Sequence, residues 1–216
     1  MDGLRLIVND GRDMDITLHR GDLPVDLDLG GTVAVDSETM GLQPGRDRLC
    51  LVQLSAGDGT AHLVQLAAGN YAAPNLRRLL ADPGRLKLFH YARFDLAVLR
   101  RYLGIECGPV YCTKIASRLA RTYTDRHGLK DLVRELLGIE LDKTEQSSDW
   151  GAAELTPVQM RYAAKDVLHL HALRARLDTM LEREGRSGLA QACFDFLPAR
   201  VALDLAGWQD QDVFAH

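Results

Sequence analysis

The sequence predicts an α/β fold built on a central mixed β-sheet flanked by α-helices, and three observations carry that expectation. Short apolar and β-branched runs bounded by Gly, Pro and Asp crowd the first 90 residues. From residue 93 onward the apolar positions recur at helical spacing. The order is therefore strands first, then mixed elements, then helices, which fits one sheet with helices packed on it. With 216 residues, 46% hydrophobic and 26% charged, the chain has the make-up of a folded domain and not of a disordered one. It reads as a single domain over 1–216, with a core at about 15–185, a helical extension at about 186–216 and no further helical domain behind it.

Taken in order, residues 4–8 and 16–19 are apolar-biased runs around Asp10-Gly11, a turn signal that predicts a strand pair. Residues 32–36 form a buried strand. Residues 48–55 and 61–66 follow across Pro44-Gly45 and Gly57-Asp58-Gly59, so the three predict an antiparallel meander. A helix at 74–80 starts on Pro74, residues 86–90 make another strand, and 93–103 make a helix closed by Gly104. Helices are expected at 113–122 and 129–137. A long one follows from the Thr156 cap and Pro157 to about residue 183, and an amphipathic one spans 189–205.

Chemistry concentrates where the 32–36 strand ends. Asp36 and Glu38 are two apart, so on a strand both project from one face. Like charges at that spacing repel unless a cation sits between them, and a divalent ion with oxygen ligands is the natural one. Alone, the pair is equally a strand running into a polar loop. Asp95 lies just inside the 93–103 helix, at a strand-to-helix junction of the kind where α/β proteins place functional groups. Tyr162 and Asp166 are four apart and share a helix face among apolar neighbours, where an aspartate is costly unless paired or bound to metal. Four such carboxylates fit a site for two Mg²⁺ or Mn²⁺ ions about 3.5–4 Å apart, which clamp both oxygens of an in-line phosphoryl displacement.

Asp36-x-Glu38, Asp95 within His90-Tyr91-Ala92-Arg93-Phe94-Asp95, and Tyr162-x-x-x-Asp166 resemble the three exonuclease motifs of the DEDD superfamily, in its tyrosine branch. Residues 51–55, 127–132, 137–143, 146–150 and 161–167 extend the likeness to ribonuclease D over about 15–185. The resemblance implies a ribonuclease H-like fold and metal-dependent 3′-to-5′ hydrolysis of RNA that releases nucleoside 5′-monophosphates. It implies Asp36, Glu38, Asp95 and Asp166 as metal ligands, Asp95 through water, with Tyr162 positioning the attacking water. One departure is Tyr91, where relatives often carry asparagine or a small residue.

The implied partner is a single-stranded 3′ end, RNA favoured over DNA. The alternatives are a DNA exonuclease on the same carboxylates and an inactive nucleic-acid-binding protein, which the intact set of five residues argues against. Net charge is −4, so a basic surface must be local. Residues 113–134 hold six basic against two acidic side chains, and Lys114, Arg118 and Arg121 share a helical face suited to phosphate contacts, or equally to solvent. Lys143 is a further candidate for the scissile region. Met40, Leu42 and Tyr91 are candidates to stack against or wedge a terminal base. No basic start with an apolar core opens the chain and no apolar run nears 18 residues, so a cytoplasmic location without a membrane is expected. The four cysteines, without a C-x-x-C pair, are expected reduced. A monomer or homodimer is expected.

Overall fold

The computed structural model describes residues 4–9, 13–141 and 148–215. Strands β1 (Leu4–Asn9), β2 (Asp13–Arg20), β3 (Thr32–Thr39), β4 (Leu49–Ser55), β5 (Thr60–Gln65), β6 (Leu86–Phe89) and β7 (Val110–Cys112) form one seven-stranded sheet in the order β1-β2-β5-β4-β3-β6-β7. The meander is as predicted: β3 pairs antiparallel with β4, and β4 with β5. Strands β6 and β7 add to β3 in parallel, after crossovers through helices. The block β5-β4-β3-β6-β7 is the ribonuclease H-like arrangement, and the β1–β2 hairpin extends it through a parallel β2–β5 pair. Every residue of β4 is buried, which explains why that strand reads as a continuous run and not as an alternation.

Helices α1 (Pro74–Ala81), α2 (Ala92–Leu103) and α3 (Thr113–Ala120) lie where the spacing predicts. Helix α2 ends on Gly104 at φ 64°, a left-handed turn that glycine enters without a Cβ penalty. Helix α4 (Leu129–Leu132) continues as a π-turn, Val133–Leu137. The long helix expected over 156–183 is two helices, α5 (Pro157–Leu168) and α6 (Leu170–Arg183), which meet at His169. The break has a packing reason. Helix α5 lies on β3, β4 and β5, whereas α6 runs on to α3 and β6, and one straight rod cannot follow both courses. His171 in α6 is hydrogen-bonded through Nε2 to the Thr32 carbonyl (3.1 Å), which fixes the new direction to the base of β3. Helix α7 (Ser187–Leu203) and a π-turn (Asp204–Trp208) close the described chain against α2, held by Arg93 and Arg200 on the Asp204 carboxylate. Among the described residues no helix is long and apolar enough to cross a membrane.

Candidate active site

Three elements converge at the end of β3. The strand carries Asp36 and Glu38 on one face, with Ser37 turned the other way, and its pairing with β4 shifts register between Glu38 and Thr39. Helix α5 brings Tyr162 and Asp166. It is set by Thr156 and Gln159, each side chain bonded to the other's backbone N–H, with Pro157 in the first turn. Helix α2 brings Asp95 in its first turn.

One oxygen each from Asp36, Glu38 and Asp166 lies within 4.8 Å of the others. Asp95 stands behind this group: it is 3% exposed, and its Oδ1 accepts a 2.6 Å hydrogen bond from the Ser37 hydroxyl. Gln53, opposite Asp36 in the ladder and fully buried, donates from Nε2 to Glu38 (3.4 Å). Such supporting bonds fix the direction in which ligand carboxylates point.

The electrostatics are those of anions awaiting a cation. Burial pushes the Asp36 carboxyl up to about 7. Burial, then the charges of Asp36, Asp166 and Asp95, raise Glu38 well above the carboxylate range. Asp95 and Asp166 are raised well above it too, by burial and then by Asp36. A cluster of hard oxygen donors whose ionisation is opposed by burial and mutual repulsion suits a hard divalent cation, whose charge offsets both. The donor set therefore fits the metal that the resemblance implies.

The carboxylates open into a cleft of about 900 Å³ that also takes in Met40, Leu42, Tyr162, Trp150 and Lys130. Met40 and Leu42 are 51% and 85% exposed on its lip. The lip is built by Asp47, which is buried and accepts from the Gln43 amide (3.0 Å) and from Arg46. Next to Met40, Arg48 donates to the Gly151 carbonyl (3.2 Å). A Cβ at Gly151 would lie 2.6 Å from the Met40 sulfur, so a larger residue there would have to push the Met40 side chain aside. Trp150 is buried with its ring 6.0 Å from that of Tyr162.

His90 also borders the cleft. Its Nδ1 is 2.9 Å from the Thr113 hydroxyl, which gives its own proton to the Phe89 carbonyl (3.1 Å). The ring therefore donates from Nδ1, and it stays neutral because burial, then Lys114, push its pKa down to about 3. It is engaged here as a hydrogen-bonding group.

The expected basic face is corrected at Arg121. Arg121 is fully buried: helix α3 stops at Ala120, so the chain leaves the helical face before reaching it. Its guanidinium donates to the Arg126 carbonyl (2.8 Å), to Ser117 Oγ (3.2 Å) and to the Glu135 carboxylate. It is an internal tie, not a phosphate contact. Lys114 and Arg118 line a second groove beyond Tyr91, away from the carboxylates. Tyr91 is 48% exposed at φ 71°, and Lys114 Nζ sits 4.1 Å from its ring centre. A left-handed residue ahead of α2 is the physical reason a position like this favours asparagine or a small residue. Lys143 lies outside the described residues. Trp150, Lys130 and Lys165, which fall within the stretches 146–150, 127–132 and 161–167 that carry the resemblance, also border the cleft.

A family model described as 3′-5′ exonuclease matches residues 24–182. Ribonuclease D of Gluconacetobacter diazotrophicus is 38% identical over 154 residues, covering 71% of this chain and 39% of that protein. The chain thus spans about two fifths of the length of such curated relatives. Among solved structures, NrnC of Brucella melitensis bound to pGG is 56% identical with a TM-score of 0.91, covering 94% of this chain and 99% of that one. The same nuclease with bound Mg²⁺ is 55% identical with a TM-score of 0.89, covering 93% and 98%. Escherichia coli RNase D, an exoribonuclease involved in structured RNA processing, is 27% identical with a TM-score of 0.71, covering 83% of this chain and 48% of that one.

Proposed function

We propose that this chain, which belongs to the 3′-5′ exonuclease family, is a metal-dependent exoribonuclease that removes nucleoside 5′-monophosphates from single-stranded RNA 3′ ends. The observation that carries the reading is the meeting of Asp36, Glu38 and Asp166 within 4.8 Å at the head of a cleft also lined by Tyr162. We place the chain in the tyrosine branch on Tyr162, one helical turn before Asp166. Asp36, Glu38 and Asp166 would hold two Mg²⁺ or Mn²⁺ ions, with Asp95 completing the set through water. When bound, such ions supply Lewis-acid stabilisation of the attacking and leaving oxygens.

The residues divide the remaining work. Asp36 and Glu38 are presented by a strand locked into a sheet, so the donor geometry is fixed before substrate arrives. Ser37 holds Asp95, and Gln53 holds Glu38. The Tyr162 hydroxyl orients the attacking water as a hydrogen-bond partner; an ordinary phenol, with a reference pKa near 10, is a poor base at neutral pH. Met40 and Leu42 on the lip offer apolar contacts to the terminal base. The pGG bound by the Brucella melitensis relative supports a short phosphorylated RNA as the first substrate to test.

The test is the purified protein with 5′-labelled RNA and DNA of the same sequence, in Mg²⁺ or in EDTA. Stepwise shortening of RNA from the 3′ end in Mg²⁺, faster than that of DNA, is expected, with none in EDTA. RNA left intact in fresh metal would sink the enzyme reading, and equal rates on both sugars would remove the RNA preference. Tyr162→Phe is expected to lower kcat roughly 10- to 100-fold, the range a positioned proton-handling group contributes, with RNA affinity within two-fold of wild type. An unchanged kcat would strip Tyr162 of its role with the water.

A further inference from the structure

The cleft holds a cation that the carboxylate chemistry does not use. Lys130, at the start of α4, is half-buried in the wall of the cleft that holds the carboxylates. Its ammonium makes no hydrogen bond or ion pair with a described residue. The acids around it are engaged elsewhere: Asp131 binds Arg134 (2.7 Å), and Glu135 binds the buried Arg121. The charges acting on Glu38 are those of Asp36, Asp166 and Asp95.

Its placement is built. Arg121 clamps the Arg126 carbonyl and Ser117, and Ser117 Oγ in turn meets His127 Nδ1 at 2.8 Å. The Gly128 carbonyl accepts from the Leu132 amide (3.0 Å) as the helix begins. Lys130 therefore leaves a segment anchored on both sides, not a free loop. A half-buried ammonium in the wall of a cleft that also holds the carboxylates is a receptor for phosphate oxygen.

On the reading of the site as an exoribonuclease, we infer that the Lys130 ammonium binds a phosphate of the RNA substrate and holds the strand in register with the carboxylates. It is a substrate-binding residue: it holds the strand by a phosphate oxygen and moves no proton in the cleavage. Two phosphates fit the chemistry, the scissile one and a 5′-terminal one, and the length of the substrate decides between them.

The test compares wild type with Lys130→Gln, Lys130→Arg and Arg176→Met, the last removing an exposed cation on α6 outside the cleft. Binding of labelled single-stranded RNA is read by fluorescence anisotropy across a salt series, and cleavage by steady-state kinetics. Lys130→Gln is expected to raise KM about 10-fold with kcat within two-fold, and to flatten the plot of log affinity against log salt by about 0.7, the share of one cation on a single strand. Lys130→Arg is expected to keep most of the affinity, and Arg176→Met the wild-type values. An unchanged KM and salt slope in Lys130→Gln would overturn the inference. So would a fall in kcat alone, or a loss matched by Arg176→Met.

Removing the 5′ phosphate from pGG separates the two phosphates. If the terminal one is bound, Lys130→Gln has no further effect on the unphosphorylated dinucleotide; if the scissile one is bound, both substrates lose affinity alike. Anisotropy needs no turnover. A protein that binds RNA through Lys130 but never cleaves it would therefore keep this inference and lose the exoribonuclease reading.

Discussion

Asp36→Asn is expected to cut RNA hydrolysis by about 10³-fold or more, a loss of roughly 4 kcal/mol of transition-state stabilisation, while making the metal-free protein more stable. The two effects have one cause. Asp36 is the centre of the cluster: its charge acts on Glu38, on Asp95 and on Asp166. With no cation present, that charge is held in a buried site among its like. The sign follows from its carboxyl, raised by burial from the ordinary 3.8 to about 7. A raised acid contributes stability that is fully present below the unfolded value and is lost as pH rises through the folded one. Below about pH 4, wild type and Asp36→Asn should therefore melt alike in EDTA. The variant should gain between about pH 4 and pH 7, reaching about 1–3 kcal/mol, since each unit is worth about 1.4 kcal/mol and the open cleft screens part of it. Mg²⁺ should reverse the order by stabilising wild type alone. Thermal melts at pH 4, 5.5 and 7.5 in EDTA and in Mg²⁺ check this. A stability gap that does not change with pH would show that Asp36 is not a strained anion. Hydrolysis at the wild-type rate would place the reaction elsewhere.

The same residues show what could be read in the chain before its fold was known. Asp36 and Glu38 were legible because a strand has a period of two, and Tyr162 and Asp166 because a helix returns to a face after four. Both are local rules, and local rules survive in any tertiary context that keeps the element. Asp95 was weaker evidence, since its meaning depends on Ser37, which is 58 residues away in sequence and 2.6 Å away in space. The parallel β2–β5 pairing and the three-residue β7 carry no short-range signal, because their partners come from distant parts of the chain. The break at His169 was hidden because α5 and α6 each keep good helical spacing, and only the need to reach both the sheet and α3 separates them. Arg121 was misplaced for a related reason. Counting Lys114, Arg118 and Arg121 at helical intervals presumes that the helix continues, and it ends one residue too soon.

Arg121→Met is accordingly expected to destabilise the fold and not merely to weaken RNA binding. The guanidinium is completely buried, and removing it leaves the Arg126 carbonyl without that donor and Glu135 with only the longer contact to Arg134 (3.4 Å). Deleting one partner of a buried charged pair costs about 3–5 kcal/mol. Glu135 is partly open to water, so the lower end applies, near 3 kcal/mol, or roughly 6–12 °C in melting temperature for a chain of this size. Glu135→Gln should cost less, because Arg121 keeps Ser117 and the Arg126 carbonyl. The double variant should cost less than the sum of the two, as contacting groups do. An Arg121→Met protein that melts with wild type would mean that the arginine is spare and free to meet substrate after all. The expected loss has a functional edge as well. The clamped segment 121–128 leads into Lys130, so folded Arg121→Met at low temperature should show the raised KM and flattened salt dependence of Lys130→Gln, with its carboxylates, on β3, α2 and α5, still able to take up Mg²⁺. Loss of metal uptake together with affinity would instead mean that the two walls of the cleft fold as one unit.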